Sequence, residues 1–207
     1  MNIVFLGGGN MANALIGGML RQGFAATDIH VIDPGADARG RLAAAYAVNC
    51  HESAGTAPAA PDILVLAVKP QQMKEAVAPL VGRLGDAIVV SIAAGLDMAA
   101  LSRWLGGHRR IVRSMPNTPA LVGAGISGLC ALPEVGPEGC AAAERVLRAV
   151  GSTVWIDDES RMDAVTAISG SGPAYAFYFM EALEESAREF GFASGEARAL
   201  AVETFLG

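Results

Sequence analysis

The segment Ile3-Val4-Phe5-Leu6-Gly7-Gly8-Gly9-Asn10-Met11-Ala12 constrains the fold more than any other stretch of the chain. Four successive apolar residues read as a strand buried on both faces, and the glycines closing it supply the pattern G-x-G-x-x-A at the mouth of a helix. Each position answers a physical need. Gly7 permits a tight turn, Gly9 lets bare main chain approach a diphosphate, and Ala12 allows the helix to lie close against the strand. The helix N-terminus then stabilises the anionic charge. A second strand, Ile29–Ile32, completes a strand–helix–strand unit within about thirty residues, the context that separates a dinucleotide site from an ordinary glycine-rich turn.

The same rhythm continues downstream. Apolar runs at Ile63–Val68, Ile88–Ile92 and Ile111–Arg113 alternate with helix-like spacing at Met11–Gln22, Ala38–Ala47, Gln71–Val81 and Met98–Leu105. Asp97 is placed to cap the last of these helices and Gly106 to stop it. Alternation of this kind predicts a doubly wound, mostly parallel sheet. After Pro119, further strands are expected at Ala124–Leu132 and Thr153–Ile156, with a helix over Pro137–Val150 between them. From Arg161 onward the pattern is only helical: Met162–Ile168, a Ser-Gly break, Ala174–Phe190, and Gly195 to the end. The boundary falls near Asp157-Asp158-Glu159, giving a dinucleotide-binding domain over 1–158 and the start of a helical domain over 159–207. The closing Glu203–Gly207 stops inside a helical pattern without a cap, so the chain reads as a piece of a longer protein.

Composition narrows the function classes. A net charge of −6 with only two lysines, Lys69 and Lys74, argues against a nucleic-acid partner. The one basic cluster, Arg109, Arg110 and Arg113, reads as a solvated strand entry. Cys50, Cys130 and Cys140 lack metal-type spacing and the three histidines form no HxxH pair, so no metal site is expected. No apolar run is long enough to span a bilayer and no leader peptide opens the chain, which places it in a reducing cytoplasm. Hydrophobic residues nevertheless make up 52% of the chain; the surplus is mostly Ala, for which tight helix packing is one outlet, and a face buried against a partner is the favoured one.

In an open α/β sheet, ligands bind beyond the carboxyl ends of the strands. Four loops should therefore line one crevice: Gly7–Met11, Ala67-Val68-Lys69-Pro70, Ser91-Ile92-Ala93-Ala94-Gly95 and Ser114-Met115-Pro116-Asn117-Thr118-Pro119. Lys69 could hold a ribose or phosphate, Ala93–Gly95 offer amides without bulk, and Asn117 and Thr118 present polar groups to a nicotinamide. Asp33 has two readings, as acceptor for the adenosine ribose or as the head of an Asx turn through Pro34-Gly35. Its charge would repel the extra phosphate of NADP, whereas Arg39 or Arg41 could attract it, so NAD and NADP both stay open. No histidine or tyrosine occurs in these loops. An alkoxide product would call for an acid such as His, Tyr or Lys, and Lys69 keeps that carbonyl option open; a basic cyclic imine can arrive already protonated, so a C=N substrate fits better. Further on, Ser169-Gly170-Ser171-Gly172-Pro173 forms a helix junction with Pro173 at a helix start and Ser171 or Gly172 as cap. The helix that follows is apolar almost all round and is expected to be buried on every side.

Taken together, Leu6–Ala12, Ala67–Pro70, Ala93–Gly95, Arg113–Pro119 and Ser169–Tyr175 resemble the pyrroline-5-carboxylate reductase family, in order and along the whole chain. The resemblance implies a Rossmann domain followed by an all-helical dimerisation domain, truncated here. It implies an oxidoreductase that reduces 1-pyrroline-5-carboxylate to L-proline with NADP or NAD as cofactor, acting as a homodimer or higher homo-oligomer. By the same resemblance, Leu6, Gly7, Gly8, Gly9, Asn10 and Met11 bind the diphosphate and Ala67, Val68, Lys69 and Pro70 the ribose region. Ala93, Ala94 and Gly95 with Met115, Pro116, Asn117 and Thr118 take the nicotinamide side, and Ser169–Pro173 face the substrate. The family's substrate loop, a Ser-x-Gly-Gly-Thr-Thr type of string, has no match here, so no catalytic residue is assigned. Residues 1–207 alone are expected to bind cofactor yet turn over little. Two other readings share the first domain: a β-hydroxyacid dehydrogenase relative, which would want a lysine in the helical part where none follows Lys74, and a non-catalytic NAD(P)-binding module.

Overall fold

The computed structural model describes residues 1–207. Its eight strands are β1 (Ile3–Leu6), β2 (Ile29–Ile32), β3 (Asn49–His51), β4 (Ile63–Leu66), β5 (Ile88–Ser91), β6 (Ile111–Pro116), β7 (Gly125–Ala131) and β8 (Gly151–Trp155). They form one sheet in the order β3-β2-β1-β4-β5-β6-β7-β8. The first six run parallel. β7 then runs antiparallel to β6, and β8 runs parallel to β7.

The eight helices are α1 (Asn10–Arg21), α2 (Ala36–Tyr46), α3 (Met73–Val77), α4 (Met98–Trp104), α5 (Gly136–Leu147), α6 (Met162–Val165), α7 (Gly172–Glu189) and α8 (Ser194–Leu206). Successive strand residues point to opposite faces, and the core divides accordingly. Ile3, Phe5, Ile29, Val31, Ile63, Val65 and Val90 pack with Leu15, Ile16 and Met19 of α1 and Val146 and Leu147 of α5. Val4, Leu6, Ile32, Leu64, Leu66 and Val89 pack with Met73 and Val77 of α3 and Met98 and Leu101 of α4. Every residue of β1, β4 and β5 is buried, which is why these strands carry no polar alternation. This is the doubly wound architecture expected from the rhythm of runs and glycines, with the helical segment following it.

Several elements depart from their expected form. β3 is a three-residue edge strand, Asn-Cys-His, too short and polar to leave a periodic signal. The helix expected over Gln71–Val81 is one turn and a little more, flanked by 3-10 turns at Pro70–Gln72 and Ala78–Leu80. Pro79 lacks the amide that would extend it. Asp97 does cap α4, its carboxylate accepting from the amide of Ala100, and Gly106 leaves the helix with a left-handed φ of 70°.

The largest departures concern β6 and α7. Ser114, Met115 and Pro116 are not loop but strand, pairing with Leu129, Gly128 and Ser127 of the antiparallel β7. Burial of α7 on every side does not hold within this chain: Tyr175, Phe177, Tyr178 and Phe179 are all exposed, Tyr178 to 72%. An apolar helix with no second layer over it has only α8 to lie against. No helix is long and apolar enough to cross a membrane.

Candidate functional site

The parallel strands β1, β4, β5 and β6 are neighbours in the sheet, so the segments leaving their carboxyl ends converge on one edge. At β1, Gly7 turns with φ 103°, and a Cβ there would lie 2.8 Å from the carbonyl oxygen of Ala67. The backbone conformation and the close approach both require glycine. At Gly8 the neighbour is a side chain rather than backbone, the Cβ position lying 2.8 Å from Cδ1 of Leu42, the one buried side chain of α2. Gly9 is different. A Cβ on Gly9 would meet nothing within 4 Å, and the residue leads into α1 with an ordinary φ of −73°.

The bare face of Gly9 borders a cavity of about 590 Å³ lined by Gly8, Gly9, Asn10, Asn13, Arg41 and Leu42, among others. α1 has no side-chain cap, so its first amides lack partners from the helix itself. Donor groups, helix dipole and open space coincide there, and the arrangement fits the diphosphate of a dinucleotide. Ala12 is fully buried, as close packing of α1 on the sheet demands.

Asp33 follows β2, and both oxygens of its carboxylate accept backbone hydrogen bonds. Oδ2 accepts from the amide of Gly8 and Oδ1 from the amide of Gly35, each at 2.8 Å. The second bond is the Asx turn; the first ties the glycine turn to β2 across 25 residues. Arg39 donates to the carbonyls of Asp33 and Pro34, both at 2.8 Å, and its other nitrogen stands 3.9 Å from Glu52. Arg41 lines the cavity instead.

On the far side, Lys69 is exposed where β4 gives way to the turn begun by Pro70. After β5, Ala93 is buried, its amide 3.4 Å from Ser91 Oγ, while Ala94 and Gly95 are exposed and Gly95 takes φ 72°. Met115 and Pro116 close β6, and Thr118 opens a 3-10 turn. Asn117 is buried, and both ends of its amide are committed to protein. Its Nδ2 donates to the carbonyl of Ser169 at 3.2 Å and its Oδ1 accepts from the amide of Ile126 at 2.9 Å.

That bond brings in the helix junction. Between α6 and α7 the chain does not break but widens into a π-turn over Thr166–Gly170, with the amide of Ser171 donating to the carbonyl of Thr166 at 2.8 Å. Turns of this kind frequently interrupt helices at functional sites. Ser169 Oγ is bonded back to the carbonyl of Val165, and neither Ser171 nor Gly172 provides a side-chain cap, in contrast to the expected cap. Pro173 occupies the first turn of α7, where its missing amide costs nothing. Ser169, at the head of the junction, thus lies beside Asn117 where β6 ends.

Arg113, read from sequence as part of a solvated strand entry, is instead buried at 7% exposure. Its guanidinium reaches Glu159 at 3.1 Å and Asp163 at 3.3 Å. The sequence signal was present but misleading: Arg109 and Arg110 precede the strand, whereas Arg113 is inside it. Opposite Arg113 on β7, burial and the neighbouring Glu159 charge push the Cys130 thiol up, against the opposing pull of Arg113. It stays protonated at neutral pH and offers no nucleophile. No group of three or more His, Cys, Asp or Glu side chains is placed to hold a metal ion.

Comparison with known proteins bears on this geometry. A family model described as NADP oxidoreductase, coenzyme F420-dependent, matches residues 2–95, and one described as pyrroline-5-carboxylate reductase dimerisation matches residues 159–207. The pyrroline-5-carboxylate reductase of Pseudomonas aeruginosa is 46% identical over 208 residues, covering 99% of this chain and 76% of that protein. The structure of the Coxiella burnetii pyrroline-5-carboxylate reductase superposes with a TM-score of 0.95 at 38% identity, over all of this chain and 77% of that one. The Plasmodium falciparum pyrroline carboxylate reductase, solved with NADP bound, gives 0.88 at 28% identity, covering 100% of this chain and 76% of that one. At 46% identity to a pyrroline-5-carboxylate reductase over 99% of its length, the chain belongs to the pyrroline-5-carboxylate reductase family.

Proposed function

We propose that this protein reduces the C=N bond of 1-pyrroline-5-carboxylate to L-proline with NAD(P)H, the last step of proline biosynthesis. The observation that carries the reading is the convergence, in a chain of this family, of the open glycine turn and the Ser169–Pro173 junction on one sheet edge. A reduced nicotinamide, when bound, supplies the two electrons and the hydrogen that the C=N carbon receives. The chain's own residues place and shelter the reactants. Leu6–Met11 hold the diphosphate, Ala67–Pro70 the ribose region, and Ala93–Gly95 with Met115–Thr118 the nicotinamide side. Asp33 shapes the adenosine side through Gly8 and Gly35, and Ser169–Pro173 form part of the substrate side.

No imidazole or phenol stands in the crevice loops. A protonated imine carries in its own proton, so orientation is the main demand on the protein, worth up to roughly 7–11 kcal/mol in well-aligned systems. We divide the chain into a cofactor domain over 1–158 and a helical dimerisation domain over 159–207. The exposed aromatic face of α7 supports association with a second copy. The three free cysteines fit a cytoplasmic setting.

The test is cofactor oxidation by the protein expressed from its complete coding sequence. Turnover with pyrroline-5-carboxylate, and none with a 3-oxo acid, is the expected result. Absence of imine-dependent turnover with either NADH or NADPH would reject the reading.

A further inference from the structure

One strand face carries three contacts to a single segment. Residues 113, 115 and 117 alternate on β6 and its continuation, so they share a side of the sheet. Arg113 engages Glu159 and Asp163 at the start of the segment. Met115 Cε lies 2.8 Å from where a Cβ on Gly170 would stand, so the methionine packs directly on the bare backbone of the turn. Asn117 donates to the carbonyl of Ser169. A fourth contact comes from the next strand, where Gly128 leaves room for Val165, whose Cγ1 would otherwise sit 2.6 Å from a Cβ. The oxygen of Glu159 that meets Arg113 also accepts from the amide of Met98 at 2.8 Å. Met98 opens α4, directly behind the loop Ala93–Gly95.

We propose that Arg113 is a positioning residue that sets where the Ser169–Pro173 turn stands relative to the loops after β5 and β6. The inference rests on the functional reading above for its catalytic consequence, but not for its structural one. A buried guanidinium is a poor choice for stability alone, because its desolvation offsets much of the ion-pair attraction. Such pairs are better attested as devices that select one register. The segment 159–170 needs one, since its π-turn shifts the helix by a residue and its Ala167 and Ile168 are exposed. Apolar packing on Met115 and Val165 gives attachment, while the charges at one end and Asn117 at the other admit a single alignment.

The experiment uses the protein from its complete coding sequence, loaded with NADPH, and compares Arg113→Met and Arg113→Lys with the parent. For Arg113→Met, amide hydrogen exchange over residues 165–173 should rise by about tenfold or more while the sheet core is unchanged. Turnover of pyrroline-5-carboxylate should fall by about tenfold or more, the loss appearing in kcat and in the imine KM. The Kd for NADPH, read by nicotinamide fluorescence, should stay within about twofold because Arg113 does not line the glycine turn. Arg113→Lys, which keeps the charge but loses the fork, should restore part of the activity. Unchanged exchange over 165–173 would overturn the inference whatever the reaction, and so would equal losses of cofactor affinity and turnover. Should Arg113→Met fail to fold, Asp163→Asn, which removes an exposed carboxylate, carries the same expectations in milder form and the same grounds for rejection. A parent enzyme that exchanges as expected but does not reduce the imine rejects the functional reading alone.

Discussion

Gly7 and Gly9 stand two residues apart in one motif, yet the structure separates their duties. Gly7 is demanded by the fold itself, through a φ of 103° and the carbonyl of Ala67. Gly9 has ordinary backbone angles and an open side. Gly9→Val should therefore fold with nearly parental thermal stability and lose NADPH binding, because the new side chain fills the space beside the diphosphate. Gly7→Ala should lose both, with a cost of about 1–3 kcal/mol for strained backbone before any clash is counted. Fluorescence titration and denaturant melts distinguish the two, and a Gly9→Val protein with parental affinity would contradict the proposed cradle. Asp33 shows the limit of reading a residue from its neighbours in sequence. Both of its sequence readings were local or motif-based, whereas its bond to the amide of Gly8 spans 25 residues and exists only because β1 and β2 are paired.

Among the elements, the sheet's two margins differ in how they were legible. The long apolar strands announce themselves, but β3 is three residues held at the edge by pairing with β2. Asn49 adds bonds to the carbonyls of Thr27 and Ile29. Across that pairing His30 Nδ1 lies 3.1 Å from His51 Nε2, with the rings stacked. Partial burial, and next the repulsion of His51, hold the His30 pKa below the usual histidine range, against the pull of Asp28. A group whose pKa is lower folded than unfolded takes up more protons on unfolding. Its stabilising contribution is complete above the ordinary histidine value of about 6.5 and is lost as pH falls through that value toward the folded one. Stability measured by urea melts should decline from pH 7 to pH 5, and His30→Gln should flatten that decline. An unchanged slope in the variant would show that other groups govern it. At the opposite margin, β8 is tied to α5 through Glu144, which accepts from Thr153 at 2.7 Å, Arg148 at 3.0 Å and Trp155 at 3.2 Å.

For the whole molecule, the exposed aromatic face of α7 is one outlet for the apolar surplus in the composition. Phe177, Tyr178 and Phe179 stand exposed on a helix whose only long partner is α8. Tyr178→Glu should leave the sheet domain's melting unchanged and shift the assembled protein toward monomer in sedimentation, with imine turnover lost alongside. A dimer that persists would place the interface elsewhere. The amino-acid sequence by itself determined the doubly wound sheet, the chain order of its longer apolar strands and the glycine turn, because those follow from local periodicity and from backbone angles that few residues can adopt. It also marked Ser169–Tyr175 as a junction. Only the tertiary structure decided that β6 runs on to Pro116, that Arg113 is buried, and that Asn117 serves the junction through Ser169. Each of these depends on β7 turning back antiparallel and on a segment some fifty residues away docking against it. Such contacts arise from packing of distant segments, and no periodicity in a linear chain encodes them.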